Sequence, residues 1–117
     1  MNAAEVRSFC ATLRGATEIV QWGDNHVFKV GGKMFAVTGD AADARYSFKV
    51  DDDRFLELTG IPGIIPAPYL ARAKWVQVSP AECPLSAAEL EALLRDAYGI
   101  ILQRLPKYLR RELSGEA

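Results

Sequence analysis

The chain has 117 residues, 50% hydrophobic and 25% charged, which is the make-up of one folded domain and excludes a disordered chain. Its formal net charge of -1 lacks the basic excess of a non-specific nucleic-acid binder, so any such role has to rest on a local patch. No apolar run approaches the roughly 20 residues of a membrane span and none follows Met1 as a secretion signal would, so the expectation is a cytoplasmic protein with no membrane partner.

Asn2 and Glu5 have the spacing of a capping box, and Val6, Phe9, Cys10 and Leu13 follow at the period of one helix face. This predicts a first helix with Gly15 as its stop. Cys10 falls on its apolar face, where burial outweighs reactivity. Cys10 and Cys83 lack Cys or His neighbours at ligand spacing, so both read as reduced thiols. Thr17 to Trp22 alternates with apolar groups on both sides and predicts a strand with neither face fully solvated. Gly23-Asp24-Asn25 is turn chemistry.

In VFKVGGKMFAV, residues 27 to 37, two runs of β-formers flank Gly31-Gly32. A two-residue turn of the type I′ kind needs φ > 0 at both central positions, which glycine supplies. The predicted hairpin pairs Val30 with Lys33, Lys29 with Met34 and Phe28 with Phe35. Phe28, Val30, Phe35 and Val37 then form the core face, and Val27, Lys29, Met34 and Ala36 the other. Lys33 falls on the core side at the turn end, its stem on apolar surface and its ammonium in water.

Residues 39 to 44 read as a loop. From Arg45 to Val50 a strand turns Tyr46, Phe48 and Val50 one way and Arg45, Ser47 and Lys49 the other. Asp51-Asp52-Asp53 precedes a short helix carrying Phe55, Leu56 and Leu58 and ending at Gly60, with its carboxylates at the positive end of the dipole. Pro62, Pro66 and Pro68 predict a long ordered loop over Ile61 to Leu70. Lys74 to Ser79 reads as a last strand. Ser86 and Glu89 cap the longest helix, whose stripe runs from Leu90 to Leu105 before Pro106 ends or kinks it. The basic residues Lys107, Arg110 and Arg111 suit a helix C-terminus. The expectation is α+β: a single antiparallel sheet of about five strands, covered on one face by N- and C-terminal helices, in the order α-β-β-β-β-α-β-α. One domain spans residues 1–113, with 114–117 a flexible tail.

This order, together with VFKVGGKMFAV, SFKV, PAPYLARAKWVQV and ELEALLRDAYGIILQRLPKYLR, resembles the MmcQ/YjbR family of small bacterial proteins from the first helix to about Arg111. The resemblance implies a CyaY-like sandwich and weak, salt-dependent binding of double-stranded DNA through a "double wing" of hairpins. It places Trp22, Lys33, Lys49 and Trp75 at motif positions and supplies no catalytic residue. CyaY itself binds iron through an acidic surface, and the first helix here does not reproduce that pattern.

From the residues themselves, Lys29, Lys33, Arg45 and Lys49 are the candidate nucleic-acid or anion contacts, a local excess that phosphate binding would use. The same charges on strand surfaces also block edge-to-edge pairing. The three aspartates fit a cap better than a metal site, because a hard cation wants oxygens converging from several directions. His26, the one histidine, reads as solvated or hydrogen-bonded. No nucleophile, acid–base or phosphate-loop motif is present in the sequence, so the expectation is a non-enzyme without cofactor or metal. Trp22, Tyr69 and Trp75 are candidate walls of a pocket for a small planar molecule, although strand tryptophans more often fill cores. DNA binding, small-molecule binding and a role as a partner module or homodimer all stay open.

Overall fold

The structure, a computed structural model, describes residues 1–114. Its first helix, α1 (Ala3–Ala11), has the capping box the sequence implies: Glu5 N–H donates to Asn2 Oδ1 at 2.8 Å and Asn2 N–H to Glu5 Oε1 at 2.9 Å. The helix ends earlier than Gly15, with Thr12 as C-cap, and Gly15 shapes the turn into the sheet. The strands β1 (Ala16–Gln21), β2 (Asn25–Val30), β3 (Lys33–Thr38) and β4 (Tyr46–Lys49) form an antiparallel meander. After α2 (Asp52–Thr59) come β5 (Ile64–Pro66) and β6 (Trp75–Val78), and the sheet order is β1-β2-β3-β4-β6-β5.

Among the described residues the sheet thus has six strands where about five were expected. The extra strand is β5, which lies in the proline-rich segment read as loop. Proline has no N–H to donate, and Pro66 is tolerated because β5 is an edge strand that, among the described residues, pairs with β6 alone. At the other edge, β1 exposes its four central residues, against the expectation that neither face would be fully wet.

In the hairpin, Gly31 and Gly32 take φ values of 58° and 80°, as the I′ turn requires, and Val30–Lys33 and Lys29–Met34 pair as expected. Beyond them Phe28 pairs with Ala36, not Phe35, because a β-bulge leaves Phe35 without a partner. Phe35 stays buried, edge-on to Tyr98 with ring centroids 5.6 Å apart. The shift carries Ala36 to the core side and Val37 to the opposite face, reversing both assignments.

Phe28, Val30, Tyr46, Phe48, Val76 and Val78 point toward the helices and make the core with α1, α2 and α3 (Ala87–Gln103). The α3 stripe Leu90, Leu93, Leu94, Ala97 and Ile101 is buried as its period requires, and Ser86 and Glu89 form the capping box. Pro106 stops α3, and a fourth helix, α4 (Lys107–Ser114), begins at once. Lys107 therefore stands at a helix N-terminus and not, as expected, near a C-terminus. Leu109 and Leu113 of α4 pack against the core. Ser114 closes α4, so the predicted tail retains only residues 115–117, which lie outside the described residues.

Candidate functional site

All the helices that build the core lie on one side of the sheet, so the other side has to be closed by loops or left open. At the end where β4 finishes, it is closed. Lys49 and Trp75 are cross-strand partners on this face, and both are buried without belonging to the helix-side core. Lys49 Nζ donates to the Ala73 carbonyl at 2.7 Å and reaches Asp52 Oδ1 at 3.3 Å. Segment 67–74 therefore folds back over this end of the face. Asp51 occupies the N-cap position of α2 but makes no side-chain capping bond; Asp52 serves Lys49 instead.

At the other end the face is open and holds a cleft of about 490 Å³. One row of cross-strand partners forms its floor: Val37, Ser47 and Gln77 lie side by side on β3, β4 and β6. Alternation puts Arg45, two residues before Ser47, on the same face, and its side chain joins the lining. Trp22 and Tyr69 form the walls.

Both wall residues stand on left-handed backbone. Trp22 follows β1 in the turn to β2 with φ 53°, held by Asn25 Nδ2 donating to its carbonyl at 3.0 Å. Tyr69 follows Pro68 in a turn closed by Leu70 N–H donating to the Ala67 carbonyl at 3.1 Å. Its φ of 66° makes this a type II turn with proline at the second position and tyrosine at the third, the place that normally takes Gly or Asn. Each such residue costs about 1–2 kcal/mol relative to the right-handed region. Packing does not repay it: Trp22 is 64% exposed and Tyr69 fully so.

The sequence-derived candidates separate here. Trp22 and Tyr69 share the cleft; Trp75 is buried, its backbone hydrogen-bonded to segment 67–74, and is not a wall. Trp22 is the exposed tryptophan, in keeping with its place among the candidate walls, although strand tryptophans more often fill cores. Of the four candidate cations, Lys33 is exposed at the hairpin turn, with Lys29 partly buried beside it. Arg45 lies opposite Gly39, the whole length of β3 away, roughly 20 Å at about 3.4 Å per residue. Lys49 is buried and spends its ammonium on the Ala73 carbonyl and Asp52. These four do not form one patch. Ser47 and Gln77 were missed: both are polar positions in otherwise apolar strands, a signal that gains meaning only once β4 and β6 are known to be neighbours.

His26 sits on the helix side at the same end of the sheet. Its Nδ1 lies 2.6 Å from Glu18 Oε2 and its Nε2 2.8 Å from Asp40 Oδ1, so the ring links β1 to the loop after β3. The hydrogen bond to Asp40 is the chief cause of its raised pKa. Arg7 of α1 donates to the Gly39 carbonyl at 2.7 Å and braces the same loop. Cys10 and Cys83 are free thiols, and burial pushes Cys10 up to about 12, which leaves it protonated and unreactive at neutral pH. Among the described residues no group of three or more His, Cys, Asp or Glu side chains could hold a metal ion, and no helix is long and apolar enough to cross a membrane.

Fold and site together define a small α+β protein whose antiparallel sheet is helix-covered on one face and carries an aromatic-walled cleft on the other. A family profile described as YjbR matches residues 11–100. The chain is similar to a Deinococcus radiodurans protein with the domain DUF419, at 30% identity and a TM-score of 0.81, over 97% of this chain and 88% of that one. It is also similar in fold to a Pseudomonas syringae protein, at 23% identity and a TM-score of 0.70, over 86% and 99% of the two chains. No curated protein matches it. The chain belongs to the YjbR family.

Proposed function

We propose that this is a cytoplasmic, non-enzymatic binding protein that receives a small planar molecule between Trp22 and Tyr69. One observation carries the reading: two exposed aromatic residues, distant in sequence, both occupy strained left-handed backbone and both line the same cleft. Strain of this kind persists where function repays it. The volume lies within the range of small-molecule sites. Among the described residues the polar part of the lining consists of two side-chain amides, the Ser47 and Tyr69 hydroxyls, the Trp22 indole N–H and one guanidinium, with no carboxylate, imidazole or thiol, which suits holding a ligand better than moving its protons. Titrating a panel of flat heteroaromatic fragments into isotope-labelled protein tests this. The expected result is saturable shifts at Trp22, Ser47, Tyr69 and Gln77. Shifts confined to other surfaces, or none, refute it.

Duplex-DNA binding through the hairpin, which family likeness implies, is less well supported. Two cations stand at the turn, Arg45 is a sheet-length away and Lys49 is used internally. Two phosphate contacts give little affinity at physiological salt. Anisotropy of a labelled random duplex is expected to show no saturable binding at that salt. Micromolar binding, lost in the Lys29→Glu, Lys33→Glu double variant, would establish DNA as the ligand instead.

A further inference from the structure

The cleft also carries information about the charge of what it holds. Resting on the small-molecule reading, we infer that the ligand is an anion: a flat heteroaromatic ring bearing a carboxylate or phosphate, with Arg45 holding the charged group and Ser47 and Gln77 meeting the ring edge.

Among the described residues that line the cleft, Arg45 is the one cation. Among the described residues it takes part in no ion pair, neither with Asp43, two residues before it in the chain, nor with Asp40, which is engaged by His26. Its backbone is anchored, since Gly39 N–H donates to the Arg45 carbonyl at 3.2 Å, so the side chain leaves from a fixed strand end. A guanidinium presents a planar fork of donors that matches the two oxygens of a carboxylate or phosphate. A neutral ligand would leave that fork unused.

The floor has a complementary character. Ser47 and Gln77 are direct cross-strand partners, so a hydroxyl and an amide stand adjacent between the apolar Val37 and Ile65 of the flanking strands. Neither side chain has a hydrogen-bond partner among the described residues. Together they offer donors and acceptors in one line, the pattern on the edge of a nitrogen heterocycle. Asn25, the other amide in the lining, is committed to the Trp22 carbonyl and supports the wall. An aromatic wall at each side takes the faces of the ring, the row of polar groups its edge, and Arg45 its charge.

Two pairs of probes, each a charged compound and a neutral counterpart with the same ring, test this: pyridine-3-carboxylate against pyridine-3-carboxamide, and adenosine monophosphate against adenosine. Binding is followed by quenching of Trp22, the exposed tryptophan, in wild type, Arg45→Gln and Tyr69→Ala. The charged member of at least one pair is expected to bind about tenfold tighter than its neutral counterpart, the worth of one charge-assisted hydrogen bond. Arg45→Gln removes that difference, and Tyr69→Ala weakens both members. The pair with the larger preference identifies carboxylate or phosphate as the source. If neutral and charged members bind alike and Arg45→Gln changes nothing, the anion inference is overturned while the planar-ligand reading stands. If none of the four quenches Trp22, both fall together.

Discussion

Replacing Tyr69 by asparagine should make the protein more stable while damaging the cleft. Tyr69 fills the third position of a type II turn with φ 66°, and its side chain is fully exposed. Nothing buried is lost when it goes, so the change isolates the backbone term. A non-glycine residue in this region costs about 1–2 kcal/mol, and asparagine, which enters it several-fold more readily, recovers roughly 0.5–1 kcal/mol of that. For a chain of this size the gain raises Tm by about 2–4 °C. Asparagine is the better choice over glycine because glycine's extra unfolded-state freedom would offset part of the relief. The assay is thermal and urea unfolding of the two proteins, with fragment binding measured alongside. Unchanged or lower stability in Tyr69→Asn would show that the left-handed tyrosine is not strained, and the argument that function repays the strain would lose its basis. Trp22→Asn is a poorer test, because Trp22 still buries about a third of its surface and loses that contact as strain is relieved.

Lys49→Ala should destabilise by about 2 kcal/mol in urea unfolding, since it removes a charged hydrogen bond to Ala73 and a buried stem, whereas Lys33→Ala at the exposed turn stays within about 0.5 kcal/mol. At the turn itself, Gly31→Ala meets both a left-handed φ and the Leu105 side chain, while Gly32→Ala meets only the φ; the first should cost about 1 kcal/mol more than the second in the same measurement. His26 sets a pH dependence. Its pKa is raised above the ordinary 6.5, mainly by the Asp40 hydrogen bond, so its contribution is complete below 6.5 and is lost as pH rises through the folded value. Asp40 is lowered below 3.8 by the same bond, so its contribution is present above 3.8 and is lost as pH falls through its own folded value. Urea midpoints should therefore be highest between these limits, and His26→Gln should flatten the decline on the alkaline side.

Much of the local structure is written in stretches of a few residues. Both capping boxes, the Gly31-Gly32 turn, the α3 stripe and the alternation of Tyr46, Phe48 and Val50 were all legible, because a cap or a turn is decided by groups three or four positions apart and an amphipathic face by its period. The errors share a different origin. At the bulge the unpaired Phe35 lies edge-on to Tyr98 of a distant helix, and the register shift there moved Ala36 and Val37 across the sheet. Strand β5 exists because β6 offers it an edge. Lys49 reads as a surface charge until segment 67–74 supplies a carbonyl for it.

The candidate site divides in the same way. Trp22 and Tyr69 could be named in advance as aromatic candidates, and Arg45 as a cation, each from residue type alone. That they converge, with Ser47 and Gln77 between them, follows from a sheet order that places β6 beside β4 and from two turns that hold their aromatic residues on left-handed backbone. Periodicity and capping act between neighbours along the chain, so sequence alone determines them. Register, burial and convergence act between groups separated by tens of residues, and only the packed tertiary structure decides which of those groups meet.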